Sequence, residues 1–207
     1  SVRRVSRLEK RANILGSVQN PGAVAIDRAG FNVLDLLAQA GGTQGDEHLY
    51  IFFLRRGGVD YKYDDRTLRG LAFPIEDGDL LRVERNPSRF FLAQGAVKRT
   101  GRFPFPNASP SLADALAAAG GLDDSRSDAR GVFVFRSTGA GRGKAYGLDL
   151  KDPNAANLAK LFKLVGEDTI HVSEAPLTEW NRWIKGILPF GGAMRTGAGA
   201  AAGVPGL

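Results

Sequence analysis

The chain has two histidines, His48 and His171, which are the first candidates for acid, base or metal chemistry. His48 lies in a polar stretch that predicts a turn. His171 alternates with Ile170 and Val172, which predicts a strand position on the solvent face. Neither histidine has the spacing to a serine and a carboxylate, or to other metal ligands, that a hydrolytic triad or a zinc site requires. We therefore predict surface histidines, no catalytic residue and no metal site.

A glycine-rich stretch at 139–144, Gly-Ala-Gly-Arg-Gly-Lys, superficially resembles a phosphate-binding loop. The P-loop pattern needs a glycine first and a serine or threonine last, but Thr138 and Ala145 stand at those two places. The stretch also aligns with the short turn at 56–58 in the repeat that organises the chain. We therefore interpret it as an enlarged hairpin turn and reject a phosphate site.

Three pairs of neighbouring acids are candidates for acid–base catalysis or calcium binding: Asp64 with Asp65, Asp123 with Asp124, and Glu167 with Asp168. Each pair falls at a predicted turn or helix start, where a carboxylate accepts hydrogen bonds from backbone N–H groups. No pair has the Asp/Gly spacing of a calcium loop. These acids are therefore predicted to cap backbone groups.

Aromatic side chains can stack on sugars, and five are available for this purpose: Tyr50, Tyr61, Tyr63, Phe103 and Phe105. Most of them alternate along predicted strands, which indicates packing in the core or on a sheet. We assign none of them to a carbohydrate site.

The composition excludes several classes of protein. Hydrophobic residues make up 43% and charged residues 24% of the 207 residues, which argues against wholesale disorder and against a polytopic membrane protein. No stretch approaches the ~20 consecutive apolar residues of a lipid-exposed single-span helix. Cysteine is absent, which excludes disulfides, thiolate zinc sites and cysteine nucleophiles. We expect no cofactor.

The positive charge is concentrated at the start of the chain. Of the net charge of +6, a basic leading segment at 1–13 contributes +4, from five basic residues and Glu9. A nucleic-acid-binding protein instead places its basic residues in a patch or stripe on one folded face. We therefore interpret 1–13 as a solvated segment and predict no binding to nucleic acid.

An internal repeat organises the chain. A shift of 79 residues aligns 16–42 with 95–121 without a gap and gives nine identities in 27 positions. Pro21 precedes a turn glycine in the first copy, and Thr100 replaces it in the second. The aligned glycines predict matching structural turns at Gly16, Gly22, Gly41, Gly42, Gly95, Gly101, Gly120 and Gly121. The sequence therefore predicts a tandem duplication of one module.

Each copy predicts the same small α+β domain. Two strands flank a glycine turn, an amphipathic helix ends at Gly-Gly, and a hairpin and a closing strand follow. A helix crossing such a sheet is the β-grasp arrangement. In the first copy the elements are 14–18, a strand after Gly22, 33–40, 50–54 with 59–63, and 79–83. In the second copy they are 91–97, a strand after Gly101, 112–119, 132–135 with 145–148, and 168–172.

Near the C-terminus, six apolar residues recur at helical spacing, with polar residues largely on the opposite face: Leu177, Trp180, Trp183, Ile184, Ile187 and Leu188. Pro176 suits the first turn, and Pro189 ends the helix. The 13 residues between these prolines span about 20 Å, short of a ~30 Å hydrocarbon core. The pattern leaves two alternatives: the helix packs on its own domain or a neighbouring subunit, or its apolar face meets lipid within a closed ring.

These elements divide the chain into five parts. We predict an α+β chain with two tandem β-grasp domains followed by a C-terminal amphipathic helix. The expected parts are the leading segment 1–13, domains at 14–87 and 88–174, the helix at 175–190, and a flexible Gly/Ala-rich tail at 191–207.

The motifs resemble a known family. Gly16-x-Val18-x-x-Pro21-Gly22, Leu34-x-x-Leu37-x-x-Ala40-Gly41-Gly42 and Gly78-Asp79-x-Leu81-x-Val83 resemble the SLBB module, a soluble-ligand-binding β-grasp. Two such modules followed by Pro-Leu-Thr-Glu-Trp-Asn-Arg at 176–182 resemble the end of an outer-membrane polysaccharide export protein. The resemblance covers 14–188.

The resemblance implies a ring-shaped homo-oligomer, often an octamer, that forms a periplasmic conduit in a Gram-negative bacterium. The conduit ends in a barrel of C-terminal helices in the outer membrane. It would export capsule polysaccharide or exopolysaccharide without catalysis, together with an inner-membrane polysaccharide co-polymerase. The family usually begins with a separate export domain, often behind a lipidated cysteine, which we expect upstream if this chain is a fragment. The alternative is a monomeric periplasmic module that binds a soluble ligand, such as a glycan or a cobalamin-like molecule.

Overall fold

The computed structural model describes residues 9–123, 131–139, 142–149 and 152–173. The chain divides into two compact units between Pro87 and Ser88. These units are called the first module and the second module.

The described part of the first module contains five strands, two α-helices and a 3-10 helix at Glu47–Leu49. In chain order the strands and α-helices are β1 (Arg11–Gly16), β2 (Gly22–Ala25), α1 (Val33–Gln39), β3 (Tyr50–Arg56), β4 (Val59–Asp64), α2 (Asp65–Leu71) and β5 (Leu80–Arg85). The strands form one sheet in the order β2-β1-β5-β3-β4. Its two central neighbours, β1 and β5, run parallel, and the other pairs are antiparallel.

The second module repeats this architecture in the residues that the structure describes. Its elements are β6 (Phe90–Gly95), β7 (Gly101–Pro104), α3 (Leu112–Ala118), β8 (Val132–Gly139), β9 (Arg142–Leu148), α4 (Ala155–Leu161) and β10 (Thr169–Val172). The strand order is β7-β6-β10-β8-β9, and β6 and β10 form the parallel pair. The predicted duplication and the predicted α+β class are therefore confirmed.

Alternation of side chains fixes which face of each sheet is buried. In β1, Ala12 and Ile14 are fully buried, whereas Leu15 is 45% exposed. The strand extends three residues further toward the N-terminus than the sequence predicts, because Ala12 continues the inward-facing row. The helix α1 contacts β1 and covers this face, and it buries Val33, Leu36 and Leu37. One apolar core therefore lies between the sheet and the helix.

The second core is built from equivalent positions. Phe91 and Ala93 of β6, together with Ile170 and Val172 of β10, are buried. The ring of Phe91 stacks on that of Phe103 in β7, with the centroids 5.4 Å apart. The helix α3 contributes Leu112 and Ala115.

Two short helices, α2 and α4, are absent from the sequence prediction. Each has seven residues, and α2 contains Gly70, which weakens its helical signal. The structure explains α2 by its N-cap, because the Asp64 side chain accepts a hydrogen bond of 2.7 Å from the backbone N–H of Thr67. The helix α4 buries Ala155 and Ala159, whose small side chains give little hydrophobic periodicity.

The helices α1 and α3 begin with matching capping boxes. The Asn32 side chain accepts from the N–H of Asp35, and the Asp35 carboxylate accepts from the N–H of Asn32. Ser111 and Asp114 repeat the same two bonds in the second module. Bonds from the backbone N–H and the hydroxyl of Ser111 lower the pKa of the Asp114 carboxyl below its ordinary value of 3.8.

The two neighbouring residues Ile14 and Leu15 provide a matched test of the first core. We expect Ile14→Ala to lower the free energy of unfolding of the first module by about 2–5 kcal/mol, because it leaves a cavity. Leu15→Ala, on the solvent side of the same strand, is expected to cost no more than about 1 kcal/mol. Hydrogen exchange of the β1 and β5 amides in increasing urea measures both. Equal losses in the two variants would contradict the assigned faces of β1.

The capping box of α3 predicts a dependence on pH. Because the folded state lowers the pKa of Asp114, its charge stabilises the second module above pH 3.8, and this contribution disappears as pH falls through the lower folded value. We expect Asp114→Asn to be about 1 kcal/mol less stable than the wild type at pH 7. Urea unfolding at pH 7 and at successively lower pH should show the difference shrinking. A constant difference would refute the role of the charge.

Candidate functional site

The predicted C-terminal helix lies outside the residues that the structure describes. This holds for all six of its apolar residues, so the helix remains a prediction: Leu177, Trp180, Trp183, Ile184, Ile187 and Leu188. Among the described helices, none has the length and apolar character needed to cross a membrane. The surfaces of the two modules therefore provide the site that the structure can define.

The first predicted turn glycine of each module is required by close packing. Gly16 ends β1 with φ of +91°, and a Cβ placed there would lie 2.1 Å from the carbonyl oxygen of Val83. Gly95 ends β6 with φ of +80°, and its Cβ would lie 2.0 Å from the carbonyl oxygen of Val172. Any side chain would push the two parallel central strands apart. The same constraint therefore acts in both modules.

The remaining predicted turns meet at one edge of each module. In the first module, the N–H groups of Gln19 and Asn20 donate to the carbonyls of Gly42 and Ala40, at 3.0 and 2.9 Å. The loop at 17–22, which holds Pro21 and Gly22, is therefore bonded to the Gly41–Gly42 turn that follows α1. We call these two bonded segments, 17–22 and 40–42, the turn pair of the first module.

The second module has an equivalent turn pair, formed by 96–101 and 119–121. Lys98 and Arg99 donate their N–H groups to the carbonyls of Gly121 and Ala119, at 3.1 and 2.9 Å. Gly101, Gly120 and Gly121 have positive φ, as Gly22, Gly41 and Gly42 do in the first module. The structure thus brings the remaining sequence-predicted turn residues together, four in the first module and three in the second.

The two turn pairs differ in charge. The first carries Gln19, Asn20 and Pro21, whereas the second carries Lys98, Arg99 and Thr100. The Arg99 guanidinium donates to the carbonyl of Ala118 and lies 5.6 Å from the centroid of the Phe103 ring. On β7, the Arg102 guanidinium lies 3.6 Å from the centroid of Phe90. The second turn pair and the adjoining Arg102 therefore place three cations within five residues.

A buried ion pair at the opposite edge of the first module is absent from the sequence prediction. The Asp79 side chain is 2% exposed, and Arg56 donates to both of its oxygens, at 2.9 and 2.5 Å. Arg56 also donates to the carbonyl of Pro74 at 2.7 Å. Asp79 accepts a further bond from the N–H of Glu76. The hydrogen bonds to Asp79 raise the pKa of Arg56, so the arginine stays charged.

The second module repeats this ion pair. Arg136 donates to both oxygens of Asp168, at 2.9 and 2.7 Å, and to the carbonyl of Lys163. Asp168 is fully buried and also accepts from the N–H of Val165. The bonds to Asp168 likewise raise the pKa of Arg136. In both modules the pair ties β3 or β8 to the segment that leads into the last strand.

The structure assigns roles to the other candidate residues. His171 lies on β10 on the face opposite to Ile170 and Val172, as predicted. Asp64 caps α2, whereas Asp168 forms the buried ion pair in addition to accepting a backbone hydrogen bond. The strands β8 and β9 pair antiparallel as far as Gly139 and Arg142, which confirms a hairpin. The predicted enlarged turn over 139–144 is wrong, because 142–144 belong to β9 and the additional residues lengthen the strands. In the described ranges, no group of three potential metal ligands occurs.

A shallow cleft lies at one end of the first module. Charged side chains make up six of its thirteen lining residues, Glu9, Lys10, Asp27, Arg28, Glu76 and Asp77. Sites for small organic ligands are mostly apolar and enclosed, with few polar groups. The lining of this cleft therefore does not favour such a ligand.

Comparisons with known proteins agree with the duplicated architecture. The profile of the SLBB domain matches residues 10–83 and 89–172. The chain is 30% identical over 197 residues to the EPS I polysaccharide export outer membrane protein EpsA of Ralstonia nicotianae, covering 91% of this chain and 51% of EpsA.

Two further relatives are capsule export proteins. The capsule polysaccharide export outer membrane protein CtrA of Neisseria meningitidis is 31% identical, over 86% of this chain and 56% of CtrA. The capsule polysaccharide export protein BexD of Haemophilus influenzae is 30% identical, over 74% of this chain and 44% of BexD. The chain thus spans about half the length of the curated relatives that it matches.

The buried ion pair predicts that loss of the Asp168 charge destabilises the protein more than loss of the exposed Asp60 charge. We expect Asp168→Asn to lower the free energy of unfolding of the second module by about 3 kcal/mol, because Arg136 loses its charged partner. Asp60→Asn breaks the exposed pair with Arg55 and is expected to cost less than about 1 kcal/mol. Urea unfolding of the two modules measures both effects. A loss at Asp168 no larger than that at Asp60 would refute the importance of the buried pair.

Proposed function

The chain belongs to the SLBB family, with two tandem domains, and on this basis we propose that it is part of a subunit of an outer-membrane polysaccharide export conduit. The observation that carries the proposal is the match of nearly the whole chain to polysaccharide export proteins from several bacteria. The relatives are transport proteins. We accordingly propose transport of capsule polysaccharide or exopolysaccharide without catalysis.

The proposed mechanism depends on assembly rather than on a reactive group. Copies of the chain associate side by side in a ring, of which an octamer is one form, around a hydrated passage. The tightly constrained modules suit this role, because parallel central strands at Gly16 and Gly95 and buried ion pairs at Asp79 and Asp168 keep each module rigid. A rigid unit loses little conformational freedom on association.

The predicted helix at 175–190 completes the proposed assembly. Its apolar residues meet lipid, and its polar residues line the passage, so that a ring of helices encloses water within the outer membrane. The modules themselves lie in the periplasm of a Gram-negative bacterium. An inner-membrane polysaccharide co-polymerase is the proposed partner that supplies the polymer.

The alternative is a monomeric periplasmic module that binds a glycan or a cobalamin-like ligand. The cleft in the first module is a concave surface available to such a ligand, and nearly half of its lining residues are charged. This lining argues against a mostly apolar small-molecule site. We therefore favour the conduit.

The conduit predicts a large particle that depends on the C-terminal helix. We expect the full-length protein, purified in mild detergent, to form a particle of several subunits by light scattering. Deletion of 176–188 should abolish both membrane association and surface polysaccharide in the native host. Deletion of 191–207, which removes the Gly/Ala-rich tail, serves as the control and is expected to leave both intact.

The outcome distinguishes the two candidate functions. A strictly monomeric full-length protein, with surface polysaccharide unaffected by loss of 176–188, would overturn the conduit. Saturable binding of a small glycan by that monomer would support the alternative.

A further inference from the structure

The two turn pairs share the same backbone hydrogen bonds but carry side chains of different charge. Alignment of the modules pairs Gln19 with Lys98, Asn20 with Arg99, and Ala23 with Arg102. The backbone bonds of these turns agree within 0.1 Å, at 3.0 and 3.1 Å for the first bond and 2.9 Å for both second bonds. The fold therefore does not require the three cations of the second module. A neutral turn supports the same structure in the first module.

Among the described residues, neither Lys98 nor Arg99 of the second turn pair forms an ion pair with an acid. Within the part of the chain that the structure describes, the Lys98 side chain makes no ion pair or hydrogen bond. Arg99 is fixed by a backbone carbonyl and a phenylalanine ring, and neither neutralises its charge. Residues 88–113 include four basic residues and no acid. Of the acids that follow this segment, Asp114 is engaged in the capping box of α3, and Asp123 donates its backbone N–H to the carbonyl of Ala96 in the turn pair.

The arginines are oriented by their aromatic neighbours. The Arg102 guanidinium stacks 3.6 Å from the centroid of Phe90. Stacking of this kind restricts the motion of the side chain and directs the N–H donors sideways, in the plane of the guanidinium. This geometry suits a planar carboxylate, which accepts two parallel N–H bonds from one guanidinium.

We propose that the second turn pair and the adjoining Arg102 bind carboxylate groups of an acidic polysaccharide, through Lys98, Arg99 and Arg102. This inference rests on the proposed export function and names the class of its cargo, a polymer that carries uronate or similar carboxylate groups. Each exposed ion pair is weak, so a sugar chain is held through several contacts and released as they exchange. Such reversible contact is compatible with a polymer that must move past the surface.

The first module supplies the test variant. The triple substitution Lys98→Gln, Arg99→Asn and Arg102→Ala converts the second turn to the residues that the first turn already carries. Binding of the purified chain to polygalacturonate, measured by calorimetry at low salt, is expected to weaken by about tenfold. The reciprocal substitution Gln19→Lys, Asn20→Arg and Ala23→Arg in the first module is expected to strengthen it. Neutral dextran of matched length should bind to none of these proteins.

A matched control separates the site from the net charge. Lys62→Gln, Arg66→Gln and Arg85→Gln remove three exposed cations from the first module and should leave the affinity for polygalacturonate within twofold. Circular dichroism verifies that each variant is folded. Equal weakening by the two triple variants, no weakening by the turn variant, or tighter binding to anionic phosphatidylglycerol vesicles than to polygalacturonate would overturn the inference.

The proposed function is tested separately from its cargo. If the turn variant retains full affinity for polygalacturonate while deletion of 176–188 abolishes surface polysaccharide, the carboxylate site fails and the conduit stands. If the turn variant loses affinity while that deletion has no effect on surface polysaccharide, the carboxylate site exists but its role in export fails.

Discussion

Each module depends on one carboxylate that is removed from water. Asp79 and Asp168 are buried at the entry to the last strand, and a buried charge is tolerated only when it is paired and fully hydrogen-bonded. Arg56 and Arg136 meet this requirement from the end of the hairpin, and backbone N–H groups of the preceding turn complete it. The hairpin, the turn and the last strand are thus fixed to one another by a single polar contact, around which the apolar core closes.

The duplication separates what the fold requires from what the surface carries. The ion pair, the capping boxes, the parallel central strands and the turn glycines occur in both modules. The exposed positions differ. Arg55 and Asp60 form an ion pair across β3 and β4, whereas the equivalent strand partners in the second module are Phe135 and Ala145. A common frame with two distinct surfaces is what a tandem protein needs if its halves contact different molecules.

Much of this common frame can be predicted from the sequence, because the two copies of the repeat can be compared with each other. The aligned glycines and the 3.6-residue pattern of α1 and α3 locate most elements within a few residues. The sequence does not predict the short helices α2 and α4, because seven residues with one or two buried side chains give almost no periodic signal. The sequence does not predict the ion pairs, because their partners lie 23 and 32 residues apart in the two modules. Insertions of unequal length therefore shift the two pairs out of register when the copies are aligned. The recurrence of Arg before the hairpin turn and of Asp before the last strand is the signal that could have revealed them.

The parallel pairing of the first and last strands of each module has a consequence for biosynthesis. β1 cannot pair with its parallel neighbour β5 until β5 has been synthesised, some seventy residues later. The same holds for β6 and its parallel neighbour β10. The sheet of each half therefore cannot close until its final strand has been made, although the local hairpins can form earlier. The first half is complete before the second begins, so the polypeptide folds in two successive steps, and this order limits mispairing between two nearly equivalent sets of strands.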